Sequence, residues 1–174
     1  MLSLEELTPI IDELQNRILQ EITFANRSGN LEDVLRKYNF YEKIESSAYT
    51  NVKSSRIIVF GQTNLKKKNL DGIAKSVGIS PERIDYISYD EVTNYDISNL
   101  QNNLKYSDIL VGPVPHKAKG MGSYPSMISA IESNQKNYPN LIRVMDSNEL
   151  KITSESYKTA LKKTNLYNEI MKLN

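Results

Sequence analysis

The chain has no cysteine, which excludes disulfides, thiolate nucleophiles and cysteine-ligated metals, and agrees with a reducing compartment. It has a single histidine, His116, so a zinc centre built from imidazoles is disfavoured, and no carboxylate string has the spacing of a calcium loop. No apolar run approaches the ~20 residues that a spanning helix needs, and the start "MLSLEELTPI" is acidic where a secretory signal is basic. We therefore expect a cytoplasmic protein with no membrane contact. A net charge of +1 argues against a surface built to coat nucleic acid. The eleven tyrosines are scattered and form no stacking platform, although Tyr86, Tyr89, Tyr95 and Tyr124 could stack on a base if they share a crevice.

Familiar nucleotide signatures are missing too. The first strand-to-helix turn, "GQTN", lacks G-x-G-x-x-G, and neither a P-loop nor a G-x-S-x-G nucleophile elbow occurs anywhere. No cofactor is indicated.

What is present divides near residue 50, where the hydrophobic period changes. Residues 1–50 read as a helical segment. Ile10, Ile11, Leu14, Ile18 and Ile22 recur at helical spacing, and the start is either a Ser3/Glu6 capping box or Thr8 followed by Pro9. A shorter helix follows from Leu31 through Tyr38, with a possible extension to Ile44, and residues 45–55 read as a linker. Two helices cannot bury their own stripes, so they pack on the rest of the chain or form a homodimer with a second copy.

Residues 56–174 alternate strand with helix. "RIIVF" (56–60), "IDYISY" (84–89), "DILVG" (108–112) and "LIRVM" (141–145) are the strands, with "ELKI" (149–152) a fifth strand or an extended link. Helical stripes follow at Leu70 to Val77, at Ile97, Leu100 and Leu104, at Met127 to Ile131 with Pro125 in the first turn, and at Tyr157 to Leu161, reaching toward Ile170, after a Thr153 or Ser154 cap. Repeated βα units imply a parallel-sheet, Rossmann-like or flavodoxin-like three-layer α/β domain of four to five strands, preceded by a helical extension.

In such sheets the ligand lies outside the carboxyl ends of the strands. The third of these ends, "GPVPHKAKGMGS" (112–123), stands out, with three of the chain's seven glycines in eleven residues. Gly112 would let the chain leave the strand, Pro113 and Pro115 would stiffen the path, and His116 would be held in place. Lys117 and Lys119 add charge, while Gly120, Gly122 and Ser123, the last placed where the next helix is expected to begin, suit an anion. The first loop, Gly61, Gln62, Thr63 and Asn64, would meet the ligand's other end, and Lys66, Lys67 and Lys68 could face the same crevice.

These residues support a ligand-binding or sensor module for a phosphorylated small molecule or nucleotide. An enzyme on a nucleotide or phosphoester is the alternative, with His116 as general acid or base and Asp90, Glu91, Asp146 or Glu149 as its partner. An interaction adaptor using the N-terminal helices is the third.

The stretches "IIVFG", "SDILVGPVPH" and "LIRVMDSNEL", within Arg56 to Leu161, resemble small bacterial Rossmann-like domains of unknown function that carry a Ser-His pair after the third strand. Here the pair is Pro115-His116, and Gly61-Gln62 replaces two glycines. The layout is also similar to nucleotide-sensing Rossmann-like domains of bacterial antiviral systems, which bind anionic ligands at strand ends and work as dimers. Both resemblances imply the α/β fold, and the first implies a role for His116.

Overall fold

A computed structural model describes residues 2–40 and 55–173. The expected linker and the extension to Ile44 therefore lie largely outside the described residues. Four parallel strands, β1 (Arg56–Phe60), β2 (Ile84–Ile87), β3 (Tyr106–Val111) and β4 (Asn140–Arg143), form one sheet in the order β2-β1-β3-β4. The order reverses between β1 and β3, which is the topological switch point.

Alternation along the strands feeds two cores. Ile57, Val59 and Leu110 point to the face covered by α3 (Lys67–Ser76), α6 (Ser154–Lys162) and α7 (Asn165–Leu173), where Leu70, Ala74, Tyr157, Leu161 and Leu166 are buried. Ile58, Phe60, Ile109 and Val111 point to the other face, beneath α4 (Tyr89–Val92), a 3-10 turn at Ile97–Leu100 and α5 (Met127–Ser133). This is the three-layer Rossmann-like architecture expected from the βα alternation. Among the described residues, no helix is long and apolar enough to cross a membrane.

Several local expectations are corrected by tertiary contacts. The predicted helix through Leu104 stops as the short 3-10 turn, because Asn102 adopts a left-handed conformation (φ 51°), and Leu104 is left 68% exposed. The helix expected near Ser123 begins only at Met127. Ser126 and Ser129 cap each other there through N–H to hydroxyl bonds of 3.1 Å in each direction, which leaves Pro125 outside the helix. Strand four ends at Arg143, and Met145–Asp146 (β5) instead pairs antiparallel with Glu149–Leu150 (β6) in a separate hairpin. Ser147 and Asn148, both at positive φ, make its turn.

The predicted final helix is two helices, and Asp108 on β3 is the reason. This buried carboxylate accepts the free N–H groups of Asn165 (2.8 Å) and Leu166 (3.1 Å) at the start of α7. It also accepts Asn140 Nδ2 from the register-paired position of β4 (3.0 Å) and the Ser107 hydroxyl (2.8 Å). Thr164 completes the break by donating to the Leu161 carbonyl and accepting the Tyr167 N–H.

At the N-terminus, α1 (Leu4–Ser28) starts with the Ser3/Glu6 capping box, and Pro9 lies inside the helix. Its last turns meet the α/β unit: Thr23 and Ala25 are buried, and Arg27 Nη2 donates to the Asn103 carbonyl at 2.9 Å. α2 (Leu31–Lys37) returns along it, with Lys37 and Tyr38 both 2.7 Å from the Glu21 carboxylate.

Removing the Asp108 carboxylate strands two buried helix N–H groups. Asp108→Ala is therefore expected to lower unfolding free energy by about 3 kcal/mol in urea titrations and to speed amide exchange at Asn165 and Leu166. Unchanged exchange at those two amides would contradict the capping role.

Candidate functional site

Backbone hydrogen bonds stitch the loops at the carboxyl ends of the strands together. Gly61 N–H donates to the Ile87 carbonyl at 3.1 Å, and Gln62 N–H to the Pro113 carbonyl at 2.8 Å, so the ends of β1, β2 and β3 meet at the switch point. Two glycines make this closeness possible. Gly61 adopts φ 136°, and a Cβ there would lie 2.9 Å from the Pro113 carbonyl oxygen. Gly112 is not at positive φ, so its purpose differs from the expected sharp exit: a side chain there would overlap Ile152.

Beside this junction a cleft of about 390 Å³ opens over the ends of β1 and β2. Its floor is apolar, made by Val59, Leu65, Leu70 and Ile152, with the Tyr86 ring at one side. Gln62, Thr63, Lys67, Ser88, Asp90 and Glu91 supply the polar rim. A second cavity of about 380 Å³ shares Gln62, Thr63, Leu65 and Ile152 and adds Asn64, Pro113, Lys151 and the start of α6. Both volumes fall within the range usual for small-molecule sites.

Much of the rim is already engaged in the fold. The Thr63 hydroxyl donates to the Ile152 carbonyl (3.0 Å) and accepts the Leu65 N–H (3.1 Å), fixing the first loop. Ser88 and Glu91 form the capping box of α4, and hydrogen bonds from the Ser88 hydroxyl and N–H hold the Glu91 carboxyl below its ordinary range. No hydroxyl in the cleft is thus paired with an uncommitted base.

The cationic side is different. α3 begins with Lys66 as its N-cap, without a side-chain cap bond and without an acid in its first turn. Lys66, Lys67 and Lys68 therefore set three positive charges at the positive end of the helix dipole, an unfavourable arrangement that an anion would relieve. Lys67 Nζ lies 2.8 Å from Asp71 Oδ2 and 5.6 Å from the Tyr86 ring centroid, at the mouth of the cleft. The Tyr86 hydroxyl shares a 2.7 Å hydrogen bond with the buried Tyr157 hydroxyl. Burial pushes the Tyr86 phenol up to about 12 and raises Tyr157 as well, so both are neutral hydrogen-bonding groups. Asp71 Oδ1, beside this cluster, is buried without a hydrogen-bond partner.

The third-strand loop turns the other way. Val114, Ala118, Met121 and Tyr124 pack on the opposite core, and the Lys119 carbonyl accepts the Ile97 N–H at 3.0 Å. Gly120, at φ 76°, lies against Asp96 and Ser98, where a side chain would clash. His116, Lys117, Lys119, Gly120, Gly122 and Ser123 are exposed and line none of the four cavities described among these residues. Of the residues singled out in the sequence, the structure brings together Gly61, Gln62 and Thr63, with Asn64 in the adjoining cavity and Gly112 beneath the junction. Leu65, Leu70 and Ile152 carry no sequence signal beyond apolarity, and only the closure of the hairpin and loops makes them a floor.

Among the described residues no cluster of three His, Asp or Glu side chains could hold a metal ion. Comparison with protein-family models, with curated proteins and with solved structures finds no match to the chain.

Because Gly112 packs directly under Ile152, Gly112→Ala should cost about 1–3 kcal/mol through overpacking, read from urea unfolding. Full stability in that variant would mean that Ile152 and the cleft floor can shift.

Proposed function

We propose that the chain is a binding module for a phosphorylated small molecule or nucleotide, held in the cleft over β1 and β2, and that it works as a homodimer through α1. The observation that carries the ligand reading is the uncapped start of α3, with Lys67 at the mouth of a cleft that has an apolar floor, while Lys66 and Lys68 line none of the described cavities. A phosphate would accept hydrogen bonds from the first α3 amides and from the Lys67 ammonium, where dipole and side-chain charge act together. A flat apolar portion such as a base would cover Leu65, Leu70, Ile152 and the Tyr86 ring. Across the cleft Asp90 and Glu91 repel a second phosphate and suit hydroxyl donors, so the two walls favour a ligand with one anionic end and one hydroxyl-bearing part. The commitment of the Thr63 hydroxyl to the Ile152 carbonyl, and of the Ser88 hydroxyl to the Glu91 carboxylate in the capping box of α4, supports binding over covalent chemistry.

A thermal-shift screen of nucleotides and sugar phosphates tests this, because a ligand at a hundredfold its Kd adds about 2.7 kcal/mol of stability. Lys67→Ala should weaken the best ligand by about tenfold or more, as expected for a lost charge-assisted hydrogen bond, while His116→Ala should leave titration calorimetry unchanged. A screen without any stabilising phosphorylated compound would overturn the reading. Loss of binding in His116→Ala with Lys67→Ala unaffected would move the site to the third-strand loop.

A further inference from the structure

We infer that the cavity between the end of α1 and the base of the sheet is a second binding site, for a free α-amino acid with a small apolar side chain. It borders the amino-terminal ends of β1 and β3, away from the cleft over the carboxyl ends of β1 and β2, so it stands apart from the reading above. The space measures about 210 Å³, below the range usual for drug-sized ligands. Two charged residues line it, Arg27 of α1 and Glu169 of α7, and the rest of the lining is neutral.

Neither charge is answered within the fold. Arg27 Nη2 donates to the Asn103 carbonyl, but Nη1 is buried without a hydrogen-bond partner, which is costly and uncommon in native proteins. Burial pushes this guanidinium down to about 10, with no carboxylate to offset it. Glu169 is raised above the ordinary glutamate range, by burial first and by the Asp108 carboxylate second, against the weaker pull of Arg83 and Lys172, neither of which lines the cavity. Among the described residues no ion pair joins Glu169 to Arg27 or to any other cation. A positive and a negative group thus border one small space without meeting.

That arrangement selects the ligand. A phosphate or a simple carboxylate would be drawn to Arg27 and repelled by Glu169, and an amine alone meets the reverse conflict. A zwitterion satisfies both. Its carboxylate accepts from the Arg27 guanidinium and its ammonium donates to Glu169, as charge-assisted bonds in a space partly removed from water. The head of an α-amino acid carries both charges on a single carbon, which suits so small a volume. Its side chain is left for Ile22, Leu31 and Leu104, the apolar part of the lining, and would cover Leu104, which is otherwise largely exposed. Ile22, Arg27 and Leu31 belong to the helical extension, while Leu104 and Glu169 belong to the α/β unit, so an occupant would tie the two together.

Titration calorimetry of the full chain with L-valine, isovalerate and isobutylamine tests this, because the last two are valine without its ammonium and without its carboxylate. L-Valine at about 10 mM should bind and slow amide exchange at Ala25, Asn26 and Arg27, and each half-ligand should bind about tenfold more weakly. Isovalerate binding as tightly as L-valine would overturn the zwitterion reading, and so would the absence of binding by L-alanine, L-valine and L-leucine alike. Glu169→Gln keeps the shape and removes the charge, and it should stay folded by circular dichroism, weaken L-valine by about tenfold and strengthen isovalerate. An unchanged affinity for L-valine in that variant would overturn the inference. Arg27→Gln should lose L-valine and isovalerate together, and if that variant unfolds, the Glu169→Gln comparison decides.

Discussion

A buried carboxylate on a central strand organises much of this fold. Asp108 is removed from water, and such a group is tolerable only when its oxygens are fully hydrogen-bonded. Here they are satisfied by two helix N–H groups, an amide from the neighbouring strand and a hydroxyl. The same four bonds fix where α7 begins and tie the amino-terminal ends of β3 and β4 together. Helix α7 then completes the layer that contains Leu161, Leu166 and Tyr157. Tyr157 in turn bonds Tyr86 at the edge of the cleft, so the carboxylate at one end of the sheet is linked by contiguous packing to the site at the other.

At the carboxyl ends the governing constraint is backbone closeness. Gly61 and Gly112 let the loops after β1 and β3 touch, and Ile152 is drawn over the junction. Closing the switch point displaces the available space sideways, to the β1–β2 side, where α3 starts with three lysines. The third-strand loop is consumed in covering the opposite core, with Met121 and Tyr124 packed inward and its polar residues turned outward. Glycine there serves close packing against the Asp96 turn, a use as common as ligand approach and indistinguishable from it in sequence.

The N-terminal helix obeys a different economy. Its first four turns are exposed and carry uncovered apolar side chains, while its capping box and continuous helical period make it long. Pairing with a second copy would bury these side chains without altering the α/β unit, so recognition and association would use separate surfaces of one chain.

The amino-acid sequence by itself determined the layers. Period-two and period-3.6 patterns are local and repeat often enough to specify the four parallel strands, the long N-terminal helix and the helix after β1. Residues of the first loop, Gly61 to Asn64, were legible as candidate cleft-lining residues because their place after β1 follows from the same pattern. Only the tertiary structure decided which loop opens and which closes, where α6 and α7 divide, and that Leu65, Leu70 and Ile152 share a floor. Those outcomes depend on contacts between residues far apart in the chain, such as Asp108 with Asn165 and Gly112 with Ile152, and a local pattern carries no record of such partners.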